Sequence, residues 1–206
     1  MNRLFESLQN GLVVSCQAQG DDPFNSVEGI TLMARAAQMG GARGIRSEGL
    51  EKTKSVLAHV TVPVIGLIKT QFEDGNVCIT RSLESVQALL DLGCHLIAID
   101  GTARIHENMS GPVFIEKVKR EFSCVVVADI STAEEAGPCI EAGADCIATT
   151  LSGYTPETSH LPKDKPDIGL LDFLVKNYTL PIFAEGKVNS PRSEEHTSEL
   201  QSRQSI

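Results

Sequence analysis

The chain has 206 residues, a formal charge of −9, 41% hydrophobic residues and only 4% aromatic ones. That length fits one domain with a sizeable core, which small and β-branched side chains must fill, as they do in parallel α/β folds. The acidic balance, with no basic patch to offset it, argues against a nucleic-acid binder, and no run of apolar residues is long enough to span a membrane.

Leu12-Val13-Val14-Ser15-Cys16 is an apolar run ending in polar Gln17, and it predicts a first strand. Pro23 and Asn25-Ser26 break and cap the chain. The spacing of Ile30, Met33, Ala34 and Ala37 predicts a helix over Val27–Met39, closed by Gly40-Gly41. Gly44-Ile45-Arg46 predicts a short second strand with a charge at its end, and Leu50 to Leu57 a brief helix. Pro63 to Ile68 reads as the third strand, closed by Lys69. An ammonium at the end of a buried strand is costly unless it meets water, a partner or a ligand.

A loop rich in Glu73, Asp74 and Gly75 is expected next, and then a helix capped by Thr80 with Leu83, Val86, Leu89 and Leu90 on one face. Leu96 to Asp100 is the fourth strand, Pro112 opens a helix through Val118, and Cys124 to Asp129 is the fifth strand. Thr132 and Glu135 form a capping box. Ala144 to Thr149 is the sixth strand, followed by a polar loop from Ser152 to Pro166 and a helix around Leu170–Leu174. Ile182 to Glu185 is the seventh, placing a carboxylate where the third strand has its lysine.

Seven strands alternating with six helices argue for βα units in a parallel sheet. Three helix ends repeat one device: Gly40-Gly41-Ala42, Leu92-Gly93-Cys94 and Ala142-Gly143-Ala144 each turn into an even-numbered strand. That echo, with no GxGxxG after the first strand, favours a (β/α)8 TIM barrel over a Rossmann sheet. A barrel gathers all strand C-termini on one face, which would bring Gln17, Arg46, Lys69, Asp100, Asp129, Thr149 and Glu185 around a single mouth. The eighth strand and helix are missing from the reading. From Arg192 the composition turns charged and Ser-rich, and the stretch resembles the in-frame translation of a sequencing adaptor. The expected organisation is therefore an incomplete barrel over residues 1–191 and a non-native tail over 192–206, without which the charge is −8, since two arginines and three glutamates leave with it.

Lys69 and Glu185 form an acid/base pair if the fold brings their ends together. Taken singly, each has a bland alternative: a solvated loop lysine, and a carboxylate bonded to nearby backbone amides. Arg46 suits a bidentate contact to carboxylate or phosphate, or an ion pair with Glu48. Asp100 and Asp129 could accept sugar hydroxyls, orient Lys69, or support the site from behind. The five histidines are scattered and His95 reads as a core residue of the fourth strand, so no metal site is expected. Cys16, Cys94, Cys124 and Cys146 lie in apolar runs without a CxxC pair, and Met1 to Glu6 lacks the apolar core of a signal peptide. Both point to buried free thiols in a reducing cytoplasm.

Val14-Ser15-Cys16-Gln17-Ala18, Gly44-Ile45-Arg46, Ile65-Gly66-Leu67-Ile68-Lys69, Ala128-Asp129-Ile130-Ser131-Thr132, Thr149-Thr150-Leu151-Ser152-Gly153-Tyr154-Thr155 and Ala184-Glu185-Gly186 follow one pattern in order. This pattern resembles the N-acylglucosamine-6-phosphate (N-acetylmannosamine-6-phosphate) 2-epimerases over roughly Leu12 to Pro191. The resemblance implies cofactor-independent inversion at C2 of a phosphorylated amino sugar during sialic acid breakdown. Lys69 and Glu185 match the family's catalytic lysine and glutamate; Gln17, Arg46 and Asp129 match substrate-holding positions, and Asp100, Thr149 and Gly186 join them as candidates. It also implies a homodimer for the full-length parent. Lys187 stands where the family usually has arginine, and the phosphate loop after an eighth strand is missing from the reading. The chain as written is therefore expected to be unstable or inactive. The rivals are a pentose-phosphate epimerase, whose metal-binding histidines this mouth lacks, an aldolase using Lys69 as a Schiff base, and a sugar-phosphate binding module with no need of the Lys69 and Glu185 pair.

Overall fold

A computed structural model describes residues 3–188; the expected non-native tail from Arg192 lies outside the described residues. The elements in chain order are α1 (Arg3–Leu8), β1 (Val13–Cys16), α2 (Val27–Met39), β2 (Gly44–Glu48), α3 (Leu50–His59), β3 (Val64–Leu67), β4 (Lys69–Gln71) and β5 (Val77–Ile79). They continue with α4 (Leu83–Asp91), β6 (Leu96–Asp100), α5 (Gly111–Glu121), β7 (Val126–Asp129), α6 (Ala136–Glu141), β8 (Cys146–Ala148), α7 (Ile168–Asn177) and β9 (Ile182–Phe183). The main sheet has seven strands in the order β1-β2-β3-β6-β7-β8-β9, and β4 and β5 pair separately.

The described residues divide into two compact units. The first takes the chain up to Thr70 together with Ile79–Ala98; the second takes Gln71–Cys78 and the chain from Ile99 onward. In the first unit β1, β2 and β3 run parallel, with Ser15 opposite Arg46 and Arg46 opposite Ile65. Its core packs Ile30 and Ala34 of α2 and Val56 of α3 against Cys16, Ile45 and Val64 of the strands. Each fully buried branched aliphatic side chain contributes about 1.5–3 kcal/mol, so Ile45→Ala alone would cost about 2–5 kcal/mol. Ser26 caps α2 by accepting a hydrogen bond from the Gly29 N–H at 2.9 Å. In the second unit β7, β8 and β9 run parallel, with Asp129 opposite Ala148 and Ala148 opposite Phe183.

The repeated helix ending is real. Gly41, Gly93 and Gly143 have φ of 97°, 88° and 97°, left-handed values that let each helix stop and the chain enter the next strand. The capping box also forms: the Thr132 side chain and the Glu135 carboxylate satisfy each other's backbone, opening a short 3₁₀ turn before α6.

Three expectations are corrected and one is extended. The loop of Glu73, Asp74 and Gly75 is the tip of a hairpin formed by β4 and β5, closed by the Phe72 N–H donating to the Asn76 carbonyl at 2.9 Å. Thr80 does not cap α4; Ser82 does, accepting from the Ser85 N–H at 3.1 Å. β2 continues two residues past Arg46, so Arg46 lies within the strand rather than at its end. His95 is exposed and precedes β6, where its Nδ1 accepts from the Val64 N–H at 3.3 Å, so it is not a core residue. α1, which no periodicity marked, buries Phe5 and Leu8.

Candidate active site

In the first unit the candidate residues follow or lie in β1, β2 and β3. Gln17 comes directly after β1 and is half-buried. Its amide Nε2 donates to the Ser15 hydroxyl at 2.7 Å, while its Oε1 is buried and accepts no hydrogen bond from a described residue. Arg46 is 2% exposed in the middle of β2. A buried guanidinium is retained only where hydrogen bonds and charge compensate its lost hydration. Next to it Ser47 accepts from the Thr53 hydroxyl at 3.0 Å, tying β2 to α3.

Lys69 is half-buried and is the first residue of β4, not the last of β3. Ile68 separates the two strands. Its N–H donates to the Thr80 hydroxyl at 3.0 Å, and its carbonyl accepts from the Thr80 N–H at 2.8 Å. Thr80 is 1% exposed and has φ of 47°.

In the second unit the chemistry starts at Asp100, the fully buried end of β6. Its Oδ1 accepts from the Thr102 N–H and hydroxyl at 3.1 and 2.6 Å, and its Oδ2 pairs with Arg104 at 2.8 Å. Arg104 in turn lies over the Phe72 ring, 4.2 Å from its centroid. These contacts tie together the loop after β6. Glu135 joins that loop to the next by accepting from Ala103, Ser131 and Thr132 N–H groups.

Asp129 ends β7 fully buried and accepts from the Thr150 hydroxyl at 2.7 Å. Thr149 follows β8 at 3% exposure. Its hydroxyl donates to the Glu185 carbonyl at 2.7 Å and accepts from the Glu185 N–H at 3.0 Å. Glu185 is half-buried two residues after β9, and Gly186 behind it has φ of 89°. A Cβ at Gly186 would stand 3.1 Å from the Thr150 carbonyl, so both conformation and space call for glycine. Lys187, also left-handed at φ 61°, places its ammonium over the Tyr154 ring at 5.1 Å.

The Thr149-to-Thr155 run is tied by hydrogen bonds to Thr158 and Asp167. Ser152 donates to Asp167 at 2.7 Å, Gly153 N–H donates to Thr158 at 2.8 Å, and the Thr155 and Thr158 hydroxyls bond at 2.9 Å. With Asn76, Pro156, Ser159 and Lys163, the Gly153–Thr155 part lines an open cleft of about 320 Å³. Among the described residues, no group of three or more His, Cys, Asp or Glu side chains is arranged to hold a metal ion.

The cysteines are thiols, five buried and Cys124 half-buried. Burial pushes the Cys16 thiol up to about 11 and Cys94 to about 12. Cys146 is raised by burial first and then by the Asp129 charge. Thiols so raised stay neutral at physiological pH and are poor nucleophiles.

Sequence reasoning missed Thr80, Thr150, Arg104 and the bridging reach of Glu135. The hairpin had a signal, Asp74-Gly75-Asn76 followed by Val77-Cys78-Ile79, a turn sequence running into β-formers. Finding the hairpin would have moved Thr80 from helix cap to strand end.

The family model described as "Putative N-acetylmannosamine-6-phosphate epimerase" matches residues 30–203, running past Arg192. A relative from Clostridioides difficile strain 630, named "Putative N-acetylmannosamine-6-phosphate 2-epimerase", is 41% identical over 197 residues, covering 96% of this chain and 87% of that protein. A relative of the same name from Caldanaerobacter subterraneus subsp. tengcongensis is 37% identical over 190 residues, covering 91% and 79%. The solved N-acetylmannosamine-6-phosphate 2-epimerase from Clostridium perfringens matches with a TM-score of 0.87 at 33% identity, over 97% of this chain and 86% of that one. The fold class is thus a (β/α) barrel, seven of whose parallel strands lie among the described residues. The chain belongs to the N-acetylmannosamine-6-phosphate 2-epimerase family, and with it to the isomerases.

Proposed function

We propose that the full-length parent of this chain interconverts N-acetylmannosamine 6-phosphate and N-acetylglucosamine 6-phosphate by proton transfer at C2. Membership in the epimerase family supports the reaction class. The observation that carries the assignment of roles is that Lys69 and Glu185 each follow a parallel strand, where threonine hydroxyls grip the local backbone. Backbone gripped in this way holds a side chain in place without a loop's freedom.

The C2 proton lies beside C1, and the aldehyde of the open-chain sugar acidifies it. Lys69, acting as a neutral amine, takes that proton, and the electron pair of the C–H bond moves into an enolate with its charge on O1. Glu185, acting as a carboxylic acid, returns a proton to the opposite face of C2, which inverts the centre. Gln17, Arg46 and Asp129 hold the substrate, with the guanidinium suited to an anionic group. Asp100 acts through Arg104, behind the reacting atoms, and Thr149 through the Glu185 backbone. Gly186 allows the chain behind Glu185 to turn close to the substrate.

The physiological setting we infer is amino-sugar breakdown in a reducing cytoplasm, which the buried thiols support, with a homodimer as the working state. Among the described residues, no helix is long and apolar enough to cross a membrane. The test is incubation of the full-length parent with N-acetylmannosamine 6-phosphate in D2O, followed at C2 by proton NMR. Conversion with deuterium entering C2 supports the reading. A folded protein that binds the sugar phosphate, yet neither converts it nor exchanges C2, would replace the reading with that of a binding module.

A further inference from the structure

We propose that Thr80 is a positioning residue for Lys69, holding the peptide unit from which the lysine side chain is aimed. The proposal rests on the reading of Lys69 as the base. Thr80 combines three features that rarely occur together. It is β-branched, it is 1% exposed, and its φ of 47° lies in the left-handed region. A β-branched side chain is strained there, and such strain persists only where the surroundings hold it.

What holds it is a double grip on one residue. The Ile68 N–H donates to the Thr80 hydroxyl at 3.0 Å, and the Thr80 N–H donates to the Ile68 carbonyl at 2.8 Å. Ile68 is the single residue between the end of β3 at Leu67 and the start of β4 at Lys69. Its carbonyl shares a planar peptide unit with the Lys69 nitrogen, so fixing that carbonyl fixes the direction in which Lys69 leaves the sheet. Glycine would adopt this φ without strain but has no hydroxyl, and asparagine would carry its acceptor one bond further out. Threonine supplies the hydroxyl at the needed reach and accepts the strain. The chain therefore has the wrong residue for an easy turn and the right one for gripping Ile68.

The experiment compares the full-length parent with Thr80→Gly and Thr80→Ser. It reads kcat and KM for C2 epimerisation, the melting temperature, and the hydrogen-exchange rate of the Ile68 amide. Thr80→Gly relieves the strained φ but loses a buried hydroxyl and its hydrogen bond, so the melting temperature is expected to fall modestly. In the folded variant KM should stay within about twofold and kcat should fall about 10- to 100-fold, the scale of a small misplacement of a reacting group. The Ile68 amide exchanges faster in that variant. Thr80→Ser, which keeps the hydroxyl, restores slow exchange and brings kcat back to within about threefold of the unsubstituted chain. An unchanged kcat in Thr80→Gly would overturn the proposal. So would a kcat that falls only in step with the melting temperature, or one that serine does not rescue. Absence of C2 exchange in the unsubstituted chain would instead sink the epimerase reading. The Ile68 exchange rates decide separately whether the grip exists, and equal rates in all three proteins would overturn it.

Discussion

At the Lys69 end, Thr80 receives the Ile68 N–H on its hydroxyl and gives its own N–H to the Ile68 carbonyl. At the Glu185 end, Thr149 does both with the hydroxyl alone, accepting from the Glu185 N–H and donating to the Glu185 carbonyl. One threonine grips the residue before its functional side chain; the other grips the functional residue itself. The backbone strain is distributed differently as well. Near Lys69 the gripping threonine carries the positive φ, whereas near Glu185 it falls on Gly186 and Lys187, just beyond the gripped residue. The lysine end is therefore sensitive to changes in the threonine, and the glutamate end to changes in the loop behind it.

The largest expected effect is at the lysine. Lys69→Ala should lower kcat about 10²- to 10⁴-fold, the range for a lost general base, with an unchanged melting temperature. Equal losses of activity and stability would mean that Lys69 is structural. Next is Asp100→Ala, which leaves the Arg104 guanidinium buried without its carboxylate. It should cost about 3–5 kcal/mol in urea unfolding, with KM for the sugar phosphate little changed in the remaining folded protein. A large rise in KM with intact stability would move Asp100 from the supporting role to the substrate.

Thr149→Val strips both partners from the Glu185 peptide groups. It should cost about 1–3 kcal/mol and lower kcat without raising KM, since the hydroxyl is used on backbone rather than substrate. The last effect is absent at neutral pH and confined to alkali. The folded-state values of Cys16 and Cys94 lie at about 11 and about 12, above the ordinary thiol value of 9.0. An acid whose folded pKa is raised contributes stability that is full below pH 9 and is lost as the pH climbs through those values. Urea midpoints should fall between pH 9 and pH 12, and a Cys94→Ala variant should fall less steeply.

The parallel strands were legible because burial on both faces writes them as apolar runs. β6, Leu96-Ile97-Ala98-Ile99-Asp100, was bounded to the residue. α2 was equally plain, since Ser26, the apolar spacing and Gly40 all mark the same segment. The hairpin was not legible in the same way, because Lys69-Thr70-Gln71 is polar and exposed enough to pass for loop. Missing it hid the role of Thr80, which depends on a neighbour twelve residues away rather than on its own segment. Lys69 and Glu185 stand out as candidates because charges that follow apolar strands are conspicuous against that background. Their threonine grips do not, since serine and threonine hydroxyls occur throughout this chain and only the fold selects which ones meet a strand end.

The central claim is that two groups work on opposite faces of C2, and one isotope experiment tests it directly. Each epimer is incubated separately in D2O with Lys69→Ala and with Glu185→Gln, and both deuterium entry at C2 and conversion are recorded. The account predicts that neither variant converts. Glu185→Gln still exchanges C2 of the epimer that presents its proton to Lys69, returning deuterium to the same face, and Lys69→Ala loses that exchange. Continued inversion by Glu185→Gln would contradict the account and leave Lys69 as the single base.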